Sequence, residues 1–89
     1  KQMTQYYALL QTRTHALILE HRFAAEGIPC ELAYMPREIM TDLCNLGVKF
    51  SENVFPAAMN IIRRSALPNC RVYREYISAN GSCYEEVSF

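Results

Sequence analysis

Four cysteines, at 30, 44, 70 and 83, are the residues of this chain most able to form and break bonds. Metal binding fits them poorly. They stand 14, 26 and 13 positions apart with no C-x-x-C pair, and His15 and His21, six residues apart, point to different sides of a helix. No metal site is therefore expected. Thiol chemistry fits better, because a thiolate attacks sulfur or selenium directly and can hold the acquired atom as a persulfide or selenenylsulfide. Cys44 differs from the others in lying in a connection, and connections held by a rigid scaffold are where reactive groups tend to sit. Arg37 and Lys49 flank that segment, and a nearby cation favours the ionised thiol. Asp42 opposes this, as would the negative end of a short helix running up to the cysteine.

Spacing alone also permits a plainer role for Cys44, a small apolar side chain buried beneath a loop, since free cysteine is among the most buried residue types. Cys30 and Cys70 stand at strand starts on apolar faces and read as core or near-core residues. Cys83 falls in the C-terminal segment, either as an ordinary tail cysteine or as a resolving thiol for Cys44. Pro36-Arg37-Glu38 reads as a solvated or internally paired loop, or as an anion donor in Arg37 oriented by Glu38. The histidines read as solvated helix residues, and the tyrosines as strand residues with one wet edge.

The elements that position these groups follow from periodicity. Residues 5–11 are aromatic and aliphatic without a breaker and read as a strand. Thr12 or Thr14 can cap the helix that follows to about residue 26, with Ala16, Leu19 and Phe23 at helical spacing and Gly27-Ile28-Pro29 closing it. Residues 30–35 form a second strand stopped by Pro36. The connection 37–46 carries Ile39, Met40, Leu43 and Leu46 at a spacing suited to a turn or two of helix over the sheet edge. A third strand spans 48–51. Ser51 or Asn53 caps a second helix with Pro56 in its first turn and Phe55, Ala58, Met59 and Ile62 as its stripe, ended by Pro68-Asn69. Residues 71–78 are a fourth strand, Asn80-Gly81 is a turn, and 83–89 is a returning strand or a partner-facing tail.

This order predicts an α+β domain of ferredoxin-like β-α-β-β-α-β type over residues 1–79, an antiparallel sheet with two helices on one face, and 80–89 as tail or extra strand. The other sheet face would carry Tyr7, Leu9, Tyr73 and Glu75, a mixed surface with room for a homodimer contact or a partner.

Composition narrows the function classes. A chain of 89 residues with 51% hydrophobic content can bury a real core, although only roughly 60–65% of its unfolded surface. Nine basic residues balance nine acidic ones, so no long-range field favours nucleic acid or an anionic membrane, and no segment has the length of a span. Scarce Gly and Pro and periodic apolar residues point to stability by burial in a reducing, cytoplasmic setting. No phosphate loop, nucleotide fingerprint or Ser/His/Asp set is visible, so no cofactor is expected and the chain reads more as a carrier than as a turnover enzyme.

From the first strand to the fourth, about residues 6–76, the sequence resembles the bacterial selenium/sulfur carrier-like family. The likeness is carried by Tyr6-Tyr7-Ala8-Leu9, by the helix pattern Ala16-Leu17, Glu20, Phe23 and Gly27-Ile28-Pro29, and more sharply by Pro36-Arg37-Glu38-Ile39, Cys44, Leu46 and Val48-Lys49-Phe50. The family usually places glycine after the cysteine, whereas Asn45 stands here and Gly47 comes later; Asn also tolerates left-handed backbone angles. The resemblance implies a carrier that accepts sulfur or selenium on Cys44, with Arg37, Glu38, Asn45 and Lys49 around it. It also implies a donor protein such as a cysteine desulfurase, and an acceptor protein. Two alternatives stand beside it: a non-catalytic binding or regulatory module acting through its open sheet face or C-terminal tail, and a redox sensor pairing Cys44 with Cys83.

Overall fold

The computed structural model describes residues 4–40 and 45–89. Its elements are β1 (Gln5–Leu9), α1 (Arg13–Ala25), β2 (Glu31–Tyr34), a 3-10 turn at Arg37–Ile39, β3 (Leu46–Ser51), a second 3-10 turn at Glu52–Val54, α2 (Phe55–Ser65), β4 (Arg71–Ser78) and β5 (Gly81–Val87). The fold is α+β. Its five strands form one antiparallel sheet in the order β2-β3-β1-β4-β5.

Local chemistry accounts for the helices. Thr12 Oγ1 accepts the His15 N–H at 3.1 Å and satisfies one of the orphan donors at the start of α1. At its other end Gly27 adopts φ +70°, which turns the chain so that the Ile28 N–H reaches the Phe23 carbonyl at 2.9 Å. The second 3-10 turn leads into α2, with Pro56 near its start, where a missing N–H costs nothing. This helix ends earlier than Pro68-Asn69, at Ser65, because Ala66 takes a left-handed conformation at φ 49° and its N–H bonds the Ile62 carbonyl at 3.3 Å. Ile61 joins the buried stripe of Ala58, Met59 and Ile62.

Both helices cover the same sheet face. Ala16, Leu19 and Phe23 from α1 and Ala58, Met59, Ile61 and Ile62 from α2 pack on Tyr6, Ala8, Leu46, Val48, Phe50 and Val72. Tyr6 stacks on Phe50 and Phe55, at 5.4 and 4.4 Å between ring centroids, and Phe23 leans on Phe50 at 5.6 Å. Strand β1 lies at the centre and is buried on both faces, which explains its unbroken apolar run.

The segment after Asn80 is a strand. Gly81 turns at φ +113°, and β5 pairs with β4 from Ser78↔Gly81 to Val72↔Val87. Glu85 on β5 meets Arg74 on β4 at 2.8 Å.

The face away from the helices is not bare. Tyr7 and Leu9 of β1 are buried there beneath Met35 and Ile39, with Tyr73 and Tyr84 partly buried around them. The connection after β2 was expected to pack over the sheet edge; its described part lies across the back face. The reason is the parity of β1, which puts a second set of large apolar side chains on that side, where they need cover.

Candidate functional site

The β2–β3 connection is built on a few fixed points. Tyr34 pairs with Leu46, and the next step of the ladder is the Met35 N–H donating to the Asn45 carbonyl at 2.7 Å, so the two ends of the connection are joined. Pro36 then starts the 3-10 turn, in which the Ile39 N–H bonds the Pro36 carbonyl at 3.1 Å and the Met40 N–H the Arg37 carbonyl at 3.3 Å. Met35 and Ile39 point into the back-face cluster, whereas Arg37, Glu38, Met40 and Asn45 are exposed. Cys44, the candidate acceptor, lies outside the described residues, as do Thr41, Asp42 and Leu43.

Lys49 stands apart from that end of the connection. It is four residues beyond Asn45 on an extended run, about 13 Å along. Its cross-strand partners are Glu31 and Tyr7, and its Nζ sits 6.0 Å from the centre of the Tyr7 ring. The described structure thus keeps Arg37, Glu38 and Asn45 on one connection and sets Lys49 further along the back face.

The other thiols are free and half-buried. Cys70 packs against the main core, and burial pushes its thiol up to about 11. Cys30 also packs there; desolvation raises it first, then the charges of Glu20 and Glu31. It borders an open cleft of about 270 Å³ shared with Gln5, Glu31, Lys49 and Ser51. Cys83 on β5 contacts the Ser78 hydroxyl at 3.2 Å. Its strand partner is Tyr76, five residues along β4 from Arg71, which shares the level of Gly47. That puts Cys83 roughly 14 Å across the sheet and more than about 16 Å along it from the head of β3. A disulfide needs Cα atoms within about 7 Å.

Sequence reasoning placed Tyr7, Leu9, Tyr73 and Glu75 on this face but missed Tyr84 and the hydrogen bonds that converge on Glu75. Glu75 accepts from the Tyr84 hydroxyl at 2.8 Å and from the Tyr7 hydroxyl at 3.4 Å, and the two rings meet edge-on at 6.3 Å. Burial, then the charge of Glu75, pushes Tyr7 up to about 12; burial, then the hydrogen bond to Glu75, raises Tyr84 as well. Both phenols hold their protons and act as donors. The signal that could have added Tyr84 was parity, since it shares the face of Tyr7, Tyr73 and Glu75 once 83–89 is read as a returning strand.

Among the described residues, no three or more His, Cys, Asp or Glu side chains are grouped to hold a metal, and no helix is long and apolar enough to cross a membrane. His15 Nδ1 is shielded from solvent with no hydrogen-bond partner among the described residues.

No curated protein and no solved structure matches the chain. A family model described as "Putative Se/S carrier protein-like" matches residues 5–74, from the start of β1 into β4, and leaves β5 outside the match. The match spans most of the chain, which therefore belongs to the Se/S carrier protein-like family.

Proposed function

We propose that this protein carries sulfur or selenium on Cys44 and passes it to an acceptor protein. The observation that supports this reading is membership of the Se/S carrier-like family over a span that includes Cys44. We read the first four strands, with α1 and α2 as crossovers, as a ferredoxin-like plan to which β5 is added. The Cys44 thiolate attacks the outer sulfur of a donor persulfide, such as that of a cysteine desulfurase. The donor's sulfur–sulfur bond breaks, its thiolate leaves, and Cys44 holds the persulfide. No net oxidation occurs, and a second thiolate attack delivers the atom to the acceptor.

Arg37, on the exposed turn of the same connection, is the cation we assign to the thiolate or to the incoming persulfide, with Glu38 and Asn45 beside it, and Lys49 is too far along the sheet to share that role. Cys30 and Cys70 compete poorly, since their surroundings hold the proton on. A binding module acting through the whole open sheet face is less favoured, because Met35 and Ile39 occupy its middle. A partner surface is left on the outer strip of that face, where Ile77 is exposed.

The test is cyanolysis after incubation with a desulfurase and its amino-acid substrate. The wild-type chain should release thiocyanate in proportion to protein and Cys44→Ser should release none. Equal release from Cys44→Ser would remove the assignment.

A further inference from the structure

The family match stops at residue 74, yet the back-face cluster draws on a residue beyond it, Tyr84 of β5. The short 3-10 turn at Arg37–Ile39 has no side-chain cap and too few hydrogen bonds to hold itself in place. What places it is the seating of Met35 and Ile39, 5% and 7% exposed, on Tyr7 and Leu9 with Tyr73 and Tyr84 around them. Tyr84 is itself fixed, because its hydroxyl donates to Glu75 at 2.8 Å while its ring meets Tyr7 edge-on. Glu75 also takes the Tyr7 hydroxyl, so one carboxylate ties together strands β1, β4 and β5 beneath the connection.

We propose that Tyr84, held by Glu75, is a positioning residue for the connection that carries Cys44, acting through Ile39. Strand β5 is then more than an edge: it completes the platform that fixes where the exposed turn bearing Arg37 and Glu38 sits relative to the sheet. The functional consequence rests on the carrier reading; the structural one does not. A donor protein must find the connection in one place, whereas a small alkylating reagent need not.

Hydrogen exchange on the full chain tests the structural claim in Tyr84→Ala, Ile39→Ala, their double variant and Ile39→Leu. The Met35, Ile39 and Met40 amides, all hydrogen-bonded in the connection, should exchange at least about tenfold faster in either alanine variant, with α1 and α2 protection unchanged. The double variant should add little to either single change, since both loosen the same back-face cluster, and Ile39→Leu should restore protection. Should Tyr84→Ala not fold, Tyr84→Phe, which removes only the hydroxyl bond to Glu75, decides in its place by the same three amides. Unchanged exchange at these three amides, or a uniform rise across the molecule, overturns the proposal. In the same variants sulfur loading from a desulfurase should fall about tenfold while iodoacetamide alkylation of Cys44 stays within about threefold. Loading equal to wild type overturns the functional half. A wild-type chain that takes no sulfur at all sinks the carrier reading and leaves the exchange result standing.

Discussion

A thiol is a nucleophile only where its surroundings let it ionise, and Cys70 sits where they do not. Its value near 11, against an ordinary 9, leaves about a hundredfold less thiolate at pH 8. Competitive iodoacetamide labelling of the native chain should therefore find Cys70 about a hundredfold slower than a model cysteine peptide. Gly47 makes a second claim at this scale. A Cβ there would meet the Ala8 carbonyl oxygen and lie 2.7 Å from Met35 Cε. Backbone cannot yield as a flexible side chain can, so Gly47→Ala should cost about 1–3 kcal/mol, read as a lower urea midpoint with an unchanged slope. From sequence the third strand begins at residue 48; Gly47 lies inside β3, where β1 and Met35 both come close. The near-core placement of Cys30 and Cys70 was legible, because strand-start cysteines on apolar faces follow the core. The shared face of Tyr7, Leu9, Tyr73 and Glu75 was legible too; its cover by Met35 and Ile39 and its completion by Tyr84 were not, because nothing local says where a connection or a returning strand will lie.

The elements were legible wherever period and punctuation agreed. Helix α1 was readable from Thr12, the Ala16, Leu19, Phe23 spacing and Gly27, and β4 has the expected bounds. Strand β1 was harder to assign to a face, since it is buried on both and shows no alternation. The path of the β2–β3 connection is a tertiary outcome: Met35 and Ile39 stand four apart, as on a helix, yet what fixes them is a sheet face built from three distant strands. That face makes a prediction about pH. Tyr7 is raised from 10 to about 12, so the folded chain keeps a proton that the unfolded chain loses. Its contribution is complete below pH 10 and is lost as pH rises toward 12, with a slope of at most about 1.4 kcal/mol per pH unit; Tyr84 shifts the same way. Urea titrations across this window should show stability falling, and Tyr7→Phe should flatten the fall.

At the scale of the whole molecule, two apolar clusters flank one sheet, and they differ in what they secure. The larger one, under the helices, was largely readable as a residue list and holds the fold together. The smaller one seats Met35 and Ile39, in the described part of the β2–β3 connection, on the back face of the sheet. Contacts at the rim add little: the Arg64–Glu26 pair at 2.8 Å joins the two helices with both side chains about half exposed. Glu26→Gln should lower stability by less than about 1 kcal/mol, and the difference should vanish in molar salt. The account as a whole turns on where an incoming chalcogen lands. Peptide mapping by mass spectrometry, after incubation with a desulfurase and its substrate, reads this directly. The account predicts the mass of one added sulfur on the peptide containing Cys44, and an unmodified map for Cys44→Ser. Sulfur found on Cys30, Cys70 or Cys83 while the Cys44 peptide stays bare would contradict it.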